Sequence, residues 1–214
     1  FVNPGEEVLV PNPGYPTYTS LSKILGAKVV NYNLREDHGW QPDFDELEKM
    51  DLENVRLMWV NYPNMPTGGN ACVETYRRLV DFAKRHDIVV VNDNPYSFIL
   101  NEGEKLSILQ IPGAKDCCIE FNSMSKSFNM PGWRVGLCTS NATFISWILK
   151  IKSNIDSGTF RGIQLAAAEA AANARKKANH ASAFRSPVQS TRGARRKGIT
   201  IDKPNQPLLQ ATGG

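Results

Sequence analysis

Ile88-Val89-Val90-Val91 runs directly into Asn92-Asp93-Asn94-Pro95-Tyr96. A continuous β-branched run with polar residues behind it suits a strand buried on both faces, the central strand of a parallel sheet. Its polar groups then gather at its carboxyl end. Upstream, Val55-Arg56-Leu57-Met58-Trp59-Val60-Asn61 reads as a second, mostly apolar strand that leads into Tyr62-Pro63-Asn64-Met65-Pro66-Thr67-Gly68. Between the two, Tyr76, Leu79, Val80 and Ala83 mark one face of a helix. Downstream, Cys118-Ile119-Glu120-Phe121 is a strand that ends in Asn122-Ser123-Met124-Ser125-Lys126.

The rest of the chain follows the same alternation. Glu7 to Val10 is a short strand ended by Pro11, and Asn12-Pro13-Gly14 is a turn. Pro16 to Leu25 suits a helix closed by Gly26, and Lys28 to Asn33 a strand. Asp43 caps a short helix through Met50. Val135 to Cys138 is a further strand, Phe144 to Ile155 an amphipathic helix and Gln164 to Ala172 the last helix. Strands separated by helices predict an α/β fold, a mostly parallel sheet flanked by helices with right-handed crossovers. In such sheets ligands sit at the carboxyl ends of the strands. Three neighbouring ends here would gather a carboxylate, a phenol, an amide, two hydroxyls and an ammonium.

Composition bounds the function. The 214 residues are 41% hydrophobic and 21% charged, a globular balance. No apolar run approaches the roughly 20 residues of a membrane span. The first residues resemble neither a signal nor a transit peptide. Cys72, Cys117, Cys118 and Cys138 show no zinc spacing and read as reduced thiols of a cytoplasmic protein, so no metal is expected. The net charge of +4 is unevenly spread. Residues 173–214 hold nine Lys/Arg and one acid, which leaves 16 bases and 20 acids in residues 1–172. An acidic body argues against a nucleic-acid partner. Two segments are therefore expected: 1–172 as the folded α/β domain, and 173–214 as a basic tail of low order, in which large hydrophobes are few and apolar periodicity is lost. The tail reads as disordered or non-native.

Taken singly, each polar residue at the strand ends has a bland role. Asp93 suits a turn or cap, Ser123-Met124-Ser125-Lys126 a polar loop, and Asn64 beside proline a turn. Their combination, with Arg134 eight residues after Lys126 inside Gly132-Trp133-Arg134-Val135-Gly136, shifts the reading. An arginine with neighbouring hydroxyls suits bidentate capture of a phosphate. A lysine beside a phosphate clamp, with a carboxylate across the site, is an arrangement for pyridoxal phosphate.

The whole stretch Ser123-Met124-Ser125-Lys126-Ser127-Phe128-Asn129-Met130-Pro131-Gly132-Trp133-Arg134-Val135-Gly136 resembles the lysine-attachment motif of class I/II aminotransferases, the fold-type-I pyridoxal-phosphate enzymes. The likeness extends from about Val8 to Ala172. It implies pyridoxal 5′-phosphate as cofactor and Lys126 as the Schiff-base lysine and base. It implies Asp93 at the pyridine nitrogen, Tyr96 at the ring hydroxyl, Ser123 and Arg134 at the phosphate, and Tyr15 stacked on the ring, with Ser125 a further candidate for binding the cofactor. The family usually has Asn directly before Pro-Thr-Gly; here Met65 holds that place, and Asn64 is the candidate substitute. The resemblance also implies amino acid and 2-oxo acid substrates and a homodimer. A phosphate loop upstream and a carboxylate-binding arginine in a later small domain belong to the family, so the chain reads as the central piece of a longer enzyme. Other fold-type-I chemistries, such as carbon–sulfur lyase or decarboxylase, and a non-catalytic regulatory module are the alternatives.

Overall fold

The computed structural model describes residues 1–99 and 104–183. The chain divides into two compact units, Phe1–Asn173 and Ala174–Gly214. The first unit is a six-stranded sheet: β1 (Glu7–Asn12), β2 (Lys28–Asn33), β3 (Val55–Asn61), β4 (Val89–Asp93), β5 (Cys118–Ser123) and β6 (Gly136–Thr139). The order is β2-β1-β3-β4-β5-β6, parallel throughout except for antiparallel β6 at one edge. The helices are α1 (Pro16–Ile24), α2 (Phe44–Leu47), α3 (Val73–His86), α4 (Met124–Ser127), α5 (Ala142–Asp156) and α6 (Arg161–Ala183). The mostly parallel α/β architecture expected from the alternation is what forms.

Side-chain alternation along the strands builds two cores, one on each face. Leu9, Met58, Val60, Val90 and Cys118 point to one side, where Tyr76, Leu79, Val80, Phe82 and Ala83 of α3 pack against them. Val8, Val10, Leu57, Val91 and Ile119 point to the other, towards Tyr18 of α1 and the half-buried Phe144 and Ile148 of α5. Val55 and Met58, three residues apart, share a face because the register slips between Glu7 and Val8, leaving Arg56 as the extra residue of a bulge.

Three strands run further than the apolar pattern predicts. β4 continues through Asn92 and Asp93 because β3 supplies backbone partners as far as Asn61, with Val60 opposite Asn92 and Asn61 opposite Asp93. β5 continues to Ser123 because β6 pairs Asn122 with Leu137 and Ser123 with Gly136. β1 passes through Pro11 to Asn12. Its pairing with β3 stops at Leu9, so the missing proline N–H interrupts no ladder on that side. The Asp43 cap forms as expected, its Oδ1 accepting from Asp45 N at 3.0 Å and Glu46 N at 3.2 Å, although α2 is only one turn long.

At the C-terminal end, α6 continues to Ala183, beyond the Ala172 limit read from the sequence. The expectation of a disordered or non-native tail falls largely on residues 184–214, which lie outside the described residues. Among the described residues no helix is long and apolar enough to cross a membrane, and no group of three or more His, Cys, Asp or Glu is placed to hold a metal.

Candidate active site

β3, β4 and β5 are neighbours, and their carboxyl ends share one edge of the sheet. A cleft of about 320 Å³ opens there, at the lower end of the roughly 300–1,000 Å³ usual for small-ligand sites. Tyr15, Asp93, Tyr96, Ser123, Ser125, Lys126 and Arg134 all line it. Residues separated by more than a hundred positions meet because parallel strands stack their ends in register.

Asp93 closes β4 and is largely withdrawn from water. Burial holds its carboxyl above the usual value, and the hydrogen bond from Tyr18 pulls the other way. That bond is short, with Tyr18 Oη donating to Asp93 Oδ2 at 2.6 Å. The Asp93 backbone is fixed as well: its carbonyl accepts from Asn61 Nδ2 at 2.7 Å, while Asn61 Oδ1 accepts from Met65 N at 2.8 Å. One buried amide thus ties the end of β4 to the loop after β3. Burial, then Asp93 and Tyr15, raise the Tyr96 phenol, which keeps it protonated as a donor.

The segment after β5 is tied to the same edge. Asn122 Nδ2 donates to Asn94 O at 3.0 Å and Ser127 Oγ to Pro95 O at 3.2 Å. Ser123 caps α4, its Oγ accepting from Ser125 N at 3.1 Å, so its hydroxyl hydrogen stays available for a ligand. Lys126 is exposed to the cleft. Arg134 adopts the left-handed backbone (φ 53°) and donates from Nη1 to Pro131 O at 3.0 Å, which fixes one end of a fork whose other donors remain free to bind. At Gly136 a Cβ would stand 3.1 Å from Asn122 O, a tight approach to the neighbouring strand. Gly132 has no described neighbour within 4 Å of such a Cβ.

Asn64 is placed differently. It lines an adjoining cleft, which shares only Met65 and Tyr96 with the first. Its Oδ1 accepts from Thr67 Oγ1 at 2.7 Å and Thr67 N at 3.4 Å, closing the turn. Its Nδ2 is buried without a hydrogen-bond partner among the described residues. Met65, half-buried, lines the main cleft.

Sequence reading passed over Tyr18 and Asn61 as lining residues. Tyr18 stands in the first turn of the helix that Tyr15 caps, three positions after it. Asn61 is a polar residue closing an otherwise apolar strand. Either pattern could have marked its residue.

A family described as aminotransferase class I and II matches residues 1–203 of this chain. The chain belongs to the class I and II aminotransferases. The match reaches past Asn173, where the sequence motifs no longer show the likeness. An LL-diaminopimelate aminotransferase from Aquifex aeolicus is 42% identical over 165 residues, which are 77% of this chain and 43% of that protein. Among solved structures, apo-BacF from Bacillus subtilis superposes with a TM-score of 0.75 at 38% identity, covering 80% of this chain and 43% of that one. Aspartate aminotransferase from Thermus thermophilus with maleate gives 0.76 at 28% identity, covering 81% and 45%. The chain therefore spans under half the length of these similar proteins.

Class I and II aminotransferases depend on pyridoxal 5′-phosphate, and the donor set of the cleft fits that group. A carboxylate suits a protonated ring nitrogen, a protonated phenol a ring hydroxyl, a primary amine an aldehyde, and hydroxyls with a guanidinium a phosphate.

Proposed function

We propose that this chain is the cofactor-holding part of a pyridoxal-phosphate-dependent aminotransferase, which moves an amino group between an amino acid and a 2-oxo acid. The observation that carries the reading is the meeting of Lys126, Asp93, Tyr96 and Arg134 in one cleft at the carboxyl edge of the sheet. In this reading Lys126 Nζ takes up the cofactor's aldehyde. Asp93 keeps a proton on the ring nitrogen. Tyr96 donates to the ring hydroxyl, and Tyr15 lies against the ring face. Ser123, Ser125 and Arg134 hold the phosphate. Asn64 acts indirectly, by shaping the Thr67 turn.

The bound cofactor supplies an electron sink conjugated to the substrate's amino group. Once the substrate's amine has replaced it, Lys126 Nζ would be the base that takes the proton from the substrate Cα and delivers it to the carbon that carried the cofactor's aldehyde. Asp93 makes the sink effective by keeping the ring cationic, so its removal costs more in rate than in binding. The name of the Aquifex relative makes LL-diaminopimelate the first amino donor to try. Following the resemblance, the working unit is a homodimer. All four cysteines are free, in keeping with a cytoplasmic enzyme.

The test is an absorbance titration with pyridoxal phosphate followed by borohydride reduction and mass spectrometry. Wild type should acquire one covalent adduct at Lys126, and Lys126→Ala should acquire none. A variant that still gains the adduct at another lysine overturns the assignment. Conversion of the bound cofactor to its pyridoxamine form by amino acids, reversed by 2-oxo acids, separates transamination from lyase or decarboxylase chemistry.

A further inference from the structure

We propose that Tyr18 is the positioning residue of this site: its phenol holds the Asp93 carboxylate by one oxygen, so that the other is aimed at the cofactor's ring nitrogen. The inference rests on the cofactor reading above and deepens it.

The geometry is that of a fixed donor. Tyr18 is 3% exposed, and its Oη lies 2.6 Å from Asp93 Oδ2. Its ring stacks on Trp59 (centroids 4.7 Å apart, planes at 12°) and meets Tyr15 edge-on at 5.7 Å. Trp59 is itself stacked on Phe121 at 6.2 Å. The phenol therefore sits on a column of three aromatic rings contributed by α1, β3 and β5, beneath the strand ends. A side chain held this way has little rotamer freedom left, so the hydrogen bond costs little further entropy.

Chemistry fixes the direction of the bond. Burial and then Asp93 drive the Tyr18 phenol far above its ordinary range, so it stays protonated and donates. A carboxylate is an acceptor through both oxygens. With Oδ2 occupied by Tyr18, Oδ1 is left for a cationic partner. Tyr18 also opposes the effect of burial on Asp93 and favours its charged form. The remaining titratable groups lining the cleft are Tyr15, Tyr96, Lys126 and Arg134. A tyrosine buried only for packing would need some acceptor for its hydroxyl, but the state of Asp93 would not depend on it.

Tyr18→Phe removes one oxygen and leaves the ring column in place. Two readouts on the full chain follow. First, the side-chain carboxyl carbon of Asp93 is titrated by NMR without cofactor; the variant should titrate at higher pH than wild type. Second, pyridoxal phosphate should bind the variant about tenfold more weakly, the share of a hydrogen bond to a charged group. An Asp93 midpoint equal to that of wild type overturns the proposal, and so does unchanged cofactor affinity. Should the variant fail to fold, wild type still decides. The Tyr18 hydroxyl proton should appear as a slowly exchanging downfield resonance that moves with the Asp93 titration, and a resonance indifferent to it refutes the proposal. If wild type takes up no cofactor, the functional reading fails, and the cofactor-free titration still judges Tyr18.

Discussion

Asp93 is a carboxyl held between opposing influences. Burial raises it above its ordinary value of 3.8, and Tyr18 lowers it. The net direction is upward, so in the unliganded protein its contribution to stability is complete below pH 3.8 and is lost as the pH rises through the higher folded value. Asp93→Asn removes a charge that burial disfavours. Without cofactor, the variant should melt above wild type at pH 7, and the gap should close as the pH falls to about 4. With cofactor present the order should reverse, because only the carboxylate can pair with a ring cation. Thermal melts at several pH values, with and without pyridoxal phosphate, check both halves. Met65 offers a second test. A thioether lines the cleft where an amide could donate or accept a hydrogen bond. Met65→Asn should tighten cofactor binding roughly 2- to 10-fold, the range of one net hydrogen bond, as read by absorbance titration.

β3 and β4 do more than present side chains. Asn61, 2% exposed, donates to the Asp93 carbonyl and accepts from Met65 N, so it joins two strand ends and a loop through one side chain. Asn61→Ala would leave a part-buried carbonyl and a part-buried N–H without these partners. The expected cost is about 0.5–1.5 kcal/mol per lost hydrogen bond, read by urea unfolding, and cofactor affinity should fall as the Asp93 end of β4 loosens. The α4 segment is secured in a similar way, through Ser127 Oγ to Pro95 O and Asn122 Nδ2 to Asn94 O. These bonds link the lysine-bearing segment to the carboxylate-bearing one, so the two groups hold their spacing before any ligand arrives.

The Phe1–Asn173 unit gathers the proposed cofactor ligands from the residue capping α1, from β4 and the turn after it, and from β5 and the segments that follow β5. A ligand that engages all of them at once binds only the folded chain. At a hundred times its dissociation constant it would stabilise that chain by about 2.7 kcal/mol, which for a protein of this size is roughly a 5–10 °C rise in melting temperature. The rise should grow with pyridoxal phosphate concentration in wild type and largely disappear in Lys126→Ala. A melting temperature independent of the cofactor would show that the cleft does not hold it.

By itself the sequence determined the alternation of strands and helices, the identity of the central strand and the lysine motif, because burial on two faces and turn chemistry are written in local residue order. It also placed Lys126, Asp93 and Tyr96 at one edge of the sheet, since parallel strands bring their carboxyl ends together, and tied Arg134 to them through its spacing from Lys126. Only the tertiary structure decided that Asn64 turns to Thr67 and away from the main cleft, that Asn61 fastens Asp93, and that Tyr18 reaches it from another element. Those three outcomes depend on strand register and on side-chain direction between segments far apart in the chain, and no local pattern encodes either.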